Sequence, residues 1–268
     1  MDWDDAYANG AYIEGAADYP PRWEEKAKAF RQKHGARARL DAPYGEHPRE
    51  RLDLFLPEHR ARGLAVFVHG GYWKAFGKDS WSHLAAGALA KGLAVCLPQY
   101  VLCPEAPISE ITQQIGRAIA FAAEAIDGPI WLAGHSAGGH LVTRMACTDS
   151  PLPVALYQRL KTVLSISGVH DLRPLLRTQM NEDLRLDETE ANAESPALQE
   201  PLIGTDLLAW VGSDERPEFV RQNALLANIW TGFDTRTRVF EEEGRHHFNV
   251  IDGLEDPGSE MVRAWLEE

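Results

Sequence analysis

Basic charge, cysteine pairs and long apolar runs are all scarce in this chain of 268 residues. Lysine and arginine number 27 against 40 aspartates and glutamates, a formal net charge of −13. Nucleic acids and anionic membranes are bound by basic patches, so this balance argues against both as partners. No apolar stretch approaches the roughly 18 residues that span a bilayer. The opening Met1-Asp2-Trp3-Asp4-Asp5 lacks the basic and apolar regions of a secretory signal. The three cysteines, Cys96, Cys103 and Cys147, show no C-x-x-C spacing and read as reduced thiols in a cytoplasmic protein. His69, His83, His135 and His140 have no H-E-x-x-H or C-x-x-C partner, which speaks against a metal site. The phosphate-cradling motifs G-x-x-x-x-G-K-[ST] and G-x-G-x-x-G are missing too, so no cofactor is expected.

What is present alternates. Apolar runs at Leu64–Val68, 93–97, 130–133, 163–167 and 207–211 read as strands buried on both faces. Weaker strands are expected at 37–40, 50–56 and 235–240. Helical spacing separates them at 80–91, 108–126, from Ser136 to about 147, and at 217–230. The pattern predicts one α/β domain with a mostly parallel sheet covered by helices on both faces. An N-terminal segment, 1–35, includes a helix from Arg22 to His34 and is a candidate cover for a pocket. Residues 172–201, polar and acidic, read as a small cap-like insertion over one end of the sheet.

Ligands of such sheets bind beyond the carboxyl ends of the strands. There the chain carries Gly134-His135-Ser136-Ala137-Gly138 between a strand and a helix. In that setting Gly-x-Ser-x-Gly describes a nucleophile elbow, with the serine at a helix N-terminus. A serine hydroxyl needs a base, and the base needs a carboxylate to fix its tautomer. His246 and His247 both follow the last strand, and His247 is preferred because Phe248 and the apolar segment after it would pack and fix its backbone. Asp214 and Glu215 both follow the 207–211 strand, and spacing alone does not choose between them. Asp171 is a weaker third acid, otherwise read as a helix cap. Gly70 and Gly71 let the backbone approach after Leu64–Val68, so the N–H groups of Gly71, Tyr72 and Ala137 are candidate oxyanion donors. Tyr72, Trp73, Tyr100, His135 and the more distant Trp23 are candidate pocket walls, with core packing the competing reading for the aromatic residues.

With those residues placed, the chain resembles the α/β-hydrolase superfamily. Within it, the chain is most similar to the kynurenine formamidase (arylformamidase) group and its bacterial esterase-like relatives. Four stretches carry the resemblance: His69-Gly70-Gly71-Tyr72-Trp73, Tyr100-Val101-Leu102-Cys103-Pro104, Gly134 to His140, and Val211 to Phe219 together with His247-Phe248. The resemblance implies that the acid lies three residues after the strand-ending Gly212, at Glu215, where the formamidases have aspartate. It implies His247 as the base, no cofactor, and a small acyl substrate, an aryl formamide such as N-formylkynurenine. A short-chain carboxylesterase and a non-catalytic ligand-binding protein on the same fold are the alternatives. The sequence leaves a homodimer open.

Overall fold

Alternation within the apolar runs decides which side chain serves which layer. In β3 (Leu64–Val68), Leu64, Val66 and Val68 enter one buried cluster while Ala65 and Phe67 enter the other. Ile130 and Leu132 divide from Trp131 and Ala133 in the same way in β5 (Ile130–His135). A strand with two apolar faces needs helices on both sides, and the chain supplies them. Ile108–Ala125, Ala137–Arg144 and Pro217–Trp230 cover the first face through Ile111, Ile115, Leu141, Phe219 and Leu226. Tyr19–His34, Ala86–Ala90 and Glu260–Leu266 cover the second through Trp23, Ala88 and Val262.

The computed structural model describes residues 1–266. The remaining strands are β1 (Ala38–Pro43), β2 (Arg51–Phe55), β4 (Ala94–Pro98), β6 (Leu160–Ile166), β7 (Asp206–Gly212) and β8 (Arg236–Glu242). Their order across the sheet is β1-β2-β4-β3-β5-β6-β7-β8. β2 runs antiparallel to β1 and β4, and every other pair is parallel. The carboxyl ends of β3, β5, β7 and β8 therefore share one edge. Among the described residues no helix is long and apolar enough to cross a membrane.

One segment departs from expectation. In place of one helix over 80–91, the chain makes the 3-10 turns Lys78–Ser80 and Ser82–Ala85 before the short helix Ala86–Ala90. Tertiary bonds set this path: Lys78 is buried with its ammonium 2.7 Å from Asp41 and 2.9 Å from Asp53, and Trp81 packs on Trp23. Residues 172–201 fold into the short turns and helices Arg173–Arg177, Asn181–Leu184, Glu188–Ala193 and Pro196–Leu198. Glu194 takes a hydrogen bond from Thr112 at 2.6 Å and pairs with Arg144 at 3.3 Å, which ties the insertion to two of the covering helices.

Candidate active site

Ser136 sits between β5 and the Ala137–Arg144 helix at φ 55°, ψ −118°. That left-handed conformation costs a non-glycine residue about 1–3 kcal/mol and persists only where the surroundings impose it. Here they do. The serine N–H donates to Ile166 O at 2.8 Å, and its carbonyl accepts from His140 N at 3.1 Å. A Cβ on Gly138 would stand 1.9 Å from the Val68 carbonyl oxygen, so only glycine lets the helix start this close to β3.

His247 and Glu215 meet on the same edge. Nδ1 of His247 lies 2.6 Å from Oε2 of Glu215, and both side chains are buried. The other carboxylate oxygen, Oε1, accepts from Ser167 Oγ at 2.5 Å and from Gly212 N at 3.0 Å. A carboxylate beside Nδ1 requires the proton there, which leaves Nε2 as the ring's acceptor. Asp214 points the other way: it is exposed and bonded to Ser213 Oγ at 3.0 Å. His246 lies 3.0 Å from Tyr19 Oη, and Asp171 grips Arg173 at 2.8 and 2.9 Å, while the cap residue of the Arg173–Arg177 turn is Leu172. Ser167, the support of Glu215, carried no recognisable sequence signal.

The turn after β3 runs left-handed through Gly71 (φ 107°), Tyr72 (φ 49°) and Trp73 (φ 55°). A Cβ on Gly70 would lie 2.9 Å from Ser136 Cβ, a measure of how closely the turn approaches the serine. Among the described residues, no backbone bond outside the regular elements uses the N–H of Gly71 or Tyr72. Ala137 opens its helix, so its N–H has no partner within that helix. These groups are available to an oxyanion.

Ser136, His247, Gly70, Gly71, Tyr72 and His135 line a single cavity of about 340 Å³. Its other walls include Tyr7, Asn9, Gly10 and Trp23 of the N-terminal segment together with Lys74, Phe76, Trp81 and Phe248. Two expected wall residues are corrected. Trp73 and Tyr100 are fully buried in the core and line no part of this cavity. Trp73 donates its indole N–H to His140 Nδ1 at 3.3 Å, and Tyr100 stacks on His69 with centroids 4.4 Å apart. Tyr100 Oη also donates to the His69 carbonyl at 3.0 Å, which braces the turn after β3 from behind. The 172–201 insertion contributes no wall residue either. A somewhat larger cavity of about 390 Å³, lined in part by Phe30, His34 and Arg37, lies away from Ser136 and holds none of the residues singled out above.

Four further buried histidines, His69, His135, His140 and His170, have partners of their own. His135 Nε2 donates to the His247 carbonyl at 2.9 Å and His140 Nε2 to the Glu194 carbonyl at 2.6 Å. Ser165 and Thr143 flank His170 at 3.2 and 3.4 Å. Burial lowers His69 to about 4 and both His140 and His170 to about 3, and drives His135 far down as well. Each ring is neutral when folded and gains its proton near 6.5 when unfolded. Unfolded chains therefore bind more protons below that pH, and stability falls as pH drops from 6.5 toward 4. By pH 5 each ring costs about 2 kcal/mol. Urea midpoints measured at pH 7 and pH 5 should differ clearly; equal midpoints would mean that the rings take up protons in the folded state.

A sheet of this topology, with a left-handed serine between its central strand and a helix, defines a class. The chain belongs to the α/β-hydrolase fold family, whose profile matches residues 65–233. More particularly, it is 28% identical to the kynurenine formamidase of Danio rerio over 238 residues, 85% of this chain and 80% of that protein. A Silicibacter crystal structure, provisionally described as a thioesterase, is 55% identical over 99% of both chains with a TM-score of 0.93. Esterase B of Lactobacillus rhamnosis, 18% identical over 93% of both chains with a TM-score of 0.69, shares the fold.

Proposed function

We propose that this hydrolase cleaves small acyl amides or esters through Ser136, His247 and Glu215, with aryl formamides such as N-formylkynurenine as the leading substrate class. One observation carries the reading: His247, 2.6 Å from Glu215, lines the same cavity as the left-handed Ser136. Nε2 of His247 takes the serine proton as Oγ attacks the acyl carbon. The N–H groups of Gly71, Tyr72 and Ala137 receive the oxyanion. The carbon–nitrogen bond then breaks as His247 returns the proton to the departing amine. Water, deprotonated by His247, releases formate and restores the serine.

The formamide preference is supported by the Danio rerio relative and by aromatic walls that suit an aryl group. A short-chain ester or thioester is the second reading, favoured by the likeness to the Silicibacter protein along the whole chain. Both use the same residues and differ in the acyl group and the departing atom. Rates on N-formylkynurenine, p-nitrophenyl acetate and an acetyl thioester, measured side by side, decide between them. We expect the formamide to give the highest kcat/KM; a larger value for either other substrate assigns the enzyme to esters or thioesters. A non-catalytic binding protein would leave a fluorophosphonate probe unreacted, whereas we expect stoichiometric labelling. The three unpaired, buried cysteines favour a reducing cytoplasm as its location.

A further inference from the structure

The sheet ends on two unlike strands, β1 at one edge and β8 at the other. An open edge presents a row of unpaired N–H and C=O groups that another strand can join, and proteins commonly blunt such edges with bulges, prolines or lysines. β1 is blunted. Its pairing with β2 slips between Arg39 and Ala42, Asp41 is left-handed at φ 57°, and the strand ends in Pro43. An irregularity of this kind bends a strand and interrupts its ladder. β8 reads Arg-Thr-Arg-Val-Phe-Glu-Glu, without proline, glycine or lysine. It matches β7 from Arg236 to Glu242 with no slip. Among the described residues no strand lies beyond it.

Two bonds identify the free backbone groups of β8. Arg236 N donates to Thr205 O at 3.0 Å, and Glu242 O accepts from Ser213 N at 2.9 Å. The groups of residues 236, 238, 240 and 242 therefore face β7, because the direction alternates from one strand residue to the next. Those of Thr237, Val239 and Glu241 point outward, away from the sheet. Val239, in the middle of this row, is an apolar residue left 55% exposed.

The charge pattern selects the partner. β8 opens with Arg236 and Arg238 and closes with Glu241 and Glu242. A second copy laid antiparallel sets the basic end on the acidic end, whereas a parallel copy sets like on like. Opposite charges across strands stabilise pairing and like charges oppose it. Centred on Val239, the antiparallel register places Arg236 opposite Glu242 and Thr237 opposite Glu241, each twice, with the two valines together on the axis. Its outward groups then form about six backbone hydrogen bonds between the copies. Arg236 has the freedom this needs, being 68% exposed and 4.0 Å from Asp206. Glu242 accepts from Trp210 Nε1 at 2.8 Å and Arg245 Nε at 3.1 Å, and a carboxylate has lone pairs for one donor more.

We propose that β8 is the interface of a homodimer, in which two copies pair antiparallel about Val239 and join their sheets into one. Such a contact is isologous and closes on itself. It does not depend on the chemistry at Ser136.

Sedimentation equilibrium of the full chain across a concentration series should reach twice the chain mass. Hydrogen exchange should show the amides of Thr237, Val239 and Glu241 protected at high concentration and released on dilution. Val239→Pro removes an N–H that β7 does not use, the position at which an edge strand tolerates proline. Val239→Lys keeps every backbone bond and brings two ammonium groups together on the axis. Each should weaken the dimer by about tenfold or more, with circular dichroism spectra like the parent's. Arg236→Glu, which sets like charges opposite Glu242, should act in the same direction. A monomer at every concentration overturns the proposal and leaves the edge to a strand of another protein. So does a dimer in which those three amides stay unprotected, or one that Val239→Lys and Val239→Pro both leave unchanged.

Discussion

Replacing Ser136 by alanine is expected to lower ester and formamide turnover by roughly 10⁴-fold or more and to abolish fluorophosphonate labelling. The loss should come without unfolding. Alanine has a Cβ like serine and meets the same left-handed backbone at φ 55°, so the elbow keeps its strain and its bonds to Ile166 and His140. Among the described residues, Ser136 Oγ takes part in no hydrogen bond that the fold depends on, and Tm should stay within about 2 °C of the parent. Ser136→Gly sharpens the comparison. It is equally inactive on this reading, yet it relieves the left-handed strain and should gain about 1 kcal/mol in a urea titration. Wild-type rates in either variant would remove Ser136 from the chemistry, and a large fall in Tm would make the loss a folding defect.

Much of the fold was legible because its signals are local. Each β3 residue is apolar because it feeds one of two cores, and that demand is written directly as an unbroken run. The Pro217–Trp230 helix lies where proline, spacing and the preceding Gly212 turn set it. The elbow was legible for the same reason, since a Cβ on Gly134 would stand 2.1 Å from the Gly138 carbonyl oxygen, a clash within the turn itself. Residues 1–18 carried no such signal. They fold as a short helical turn and two 3-10 turns, and their positions are set by distant partners, such as Tyr7 Oη on Glu218 at 2.9 Å. Asn9 therefore could not be found from the sequence. Trp73 and Tyr100 misled because the aromatic residue beside a motif can face the cavity or brace the turn from behind, and one rotation of the backbone decides which. The 3-10 path of 78–85, bent by the buried Lys78 ion pairs, placed Trp81 in the wall, and no periodicity records such a bend.

The acid was left between two neighbours by spacing alone, and the structure makes their substitution a sharp test. Glu215 Oε1 accepts two hydrogen bonds, from Ser167 Oγ and Gly212 N, so a glutamine at this position must keep its carbonyl oxygen there. Its NH₂ is then forced to face His247 Nδ1 across the 2.6 Å contact. A donor facing Nδ1 drives the ring proton to Nε2, the nitrogen that must accept the serine proton. Glu215→Gln should therefore lower kcat by about 10³–10⁴-fold while KM and Tm change little, because shape is kept and only a tautomer is wrong. Glu215→Asp keeps the charge but shortens the arm, so it should fall between the parent and the glutamine variant. Asp214→Asn touches an exposed side chain bonded only to Ser213 and should stay within about twofold of the parent. Kinetics of the three variants on p-nitrophenyl acetate check this. Equal, mild losses at both positions would mean that neither carboxylate orients the base, and a severe loss confined to Asp214→Asn would reverse the assignment.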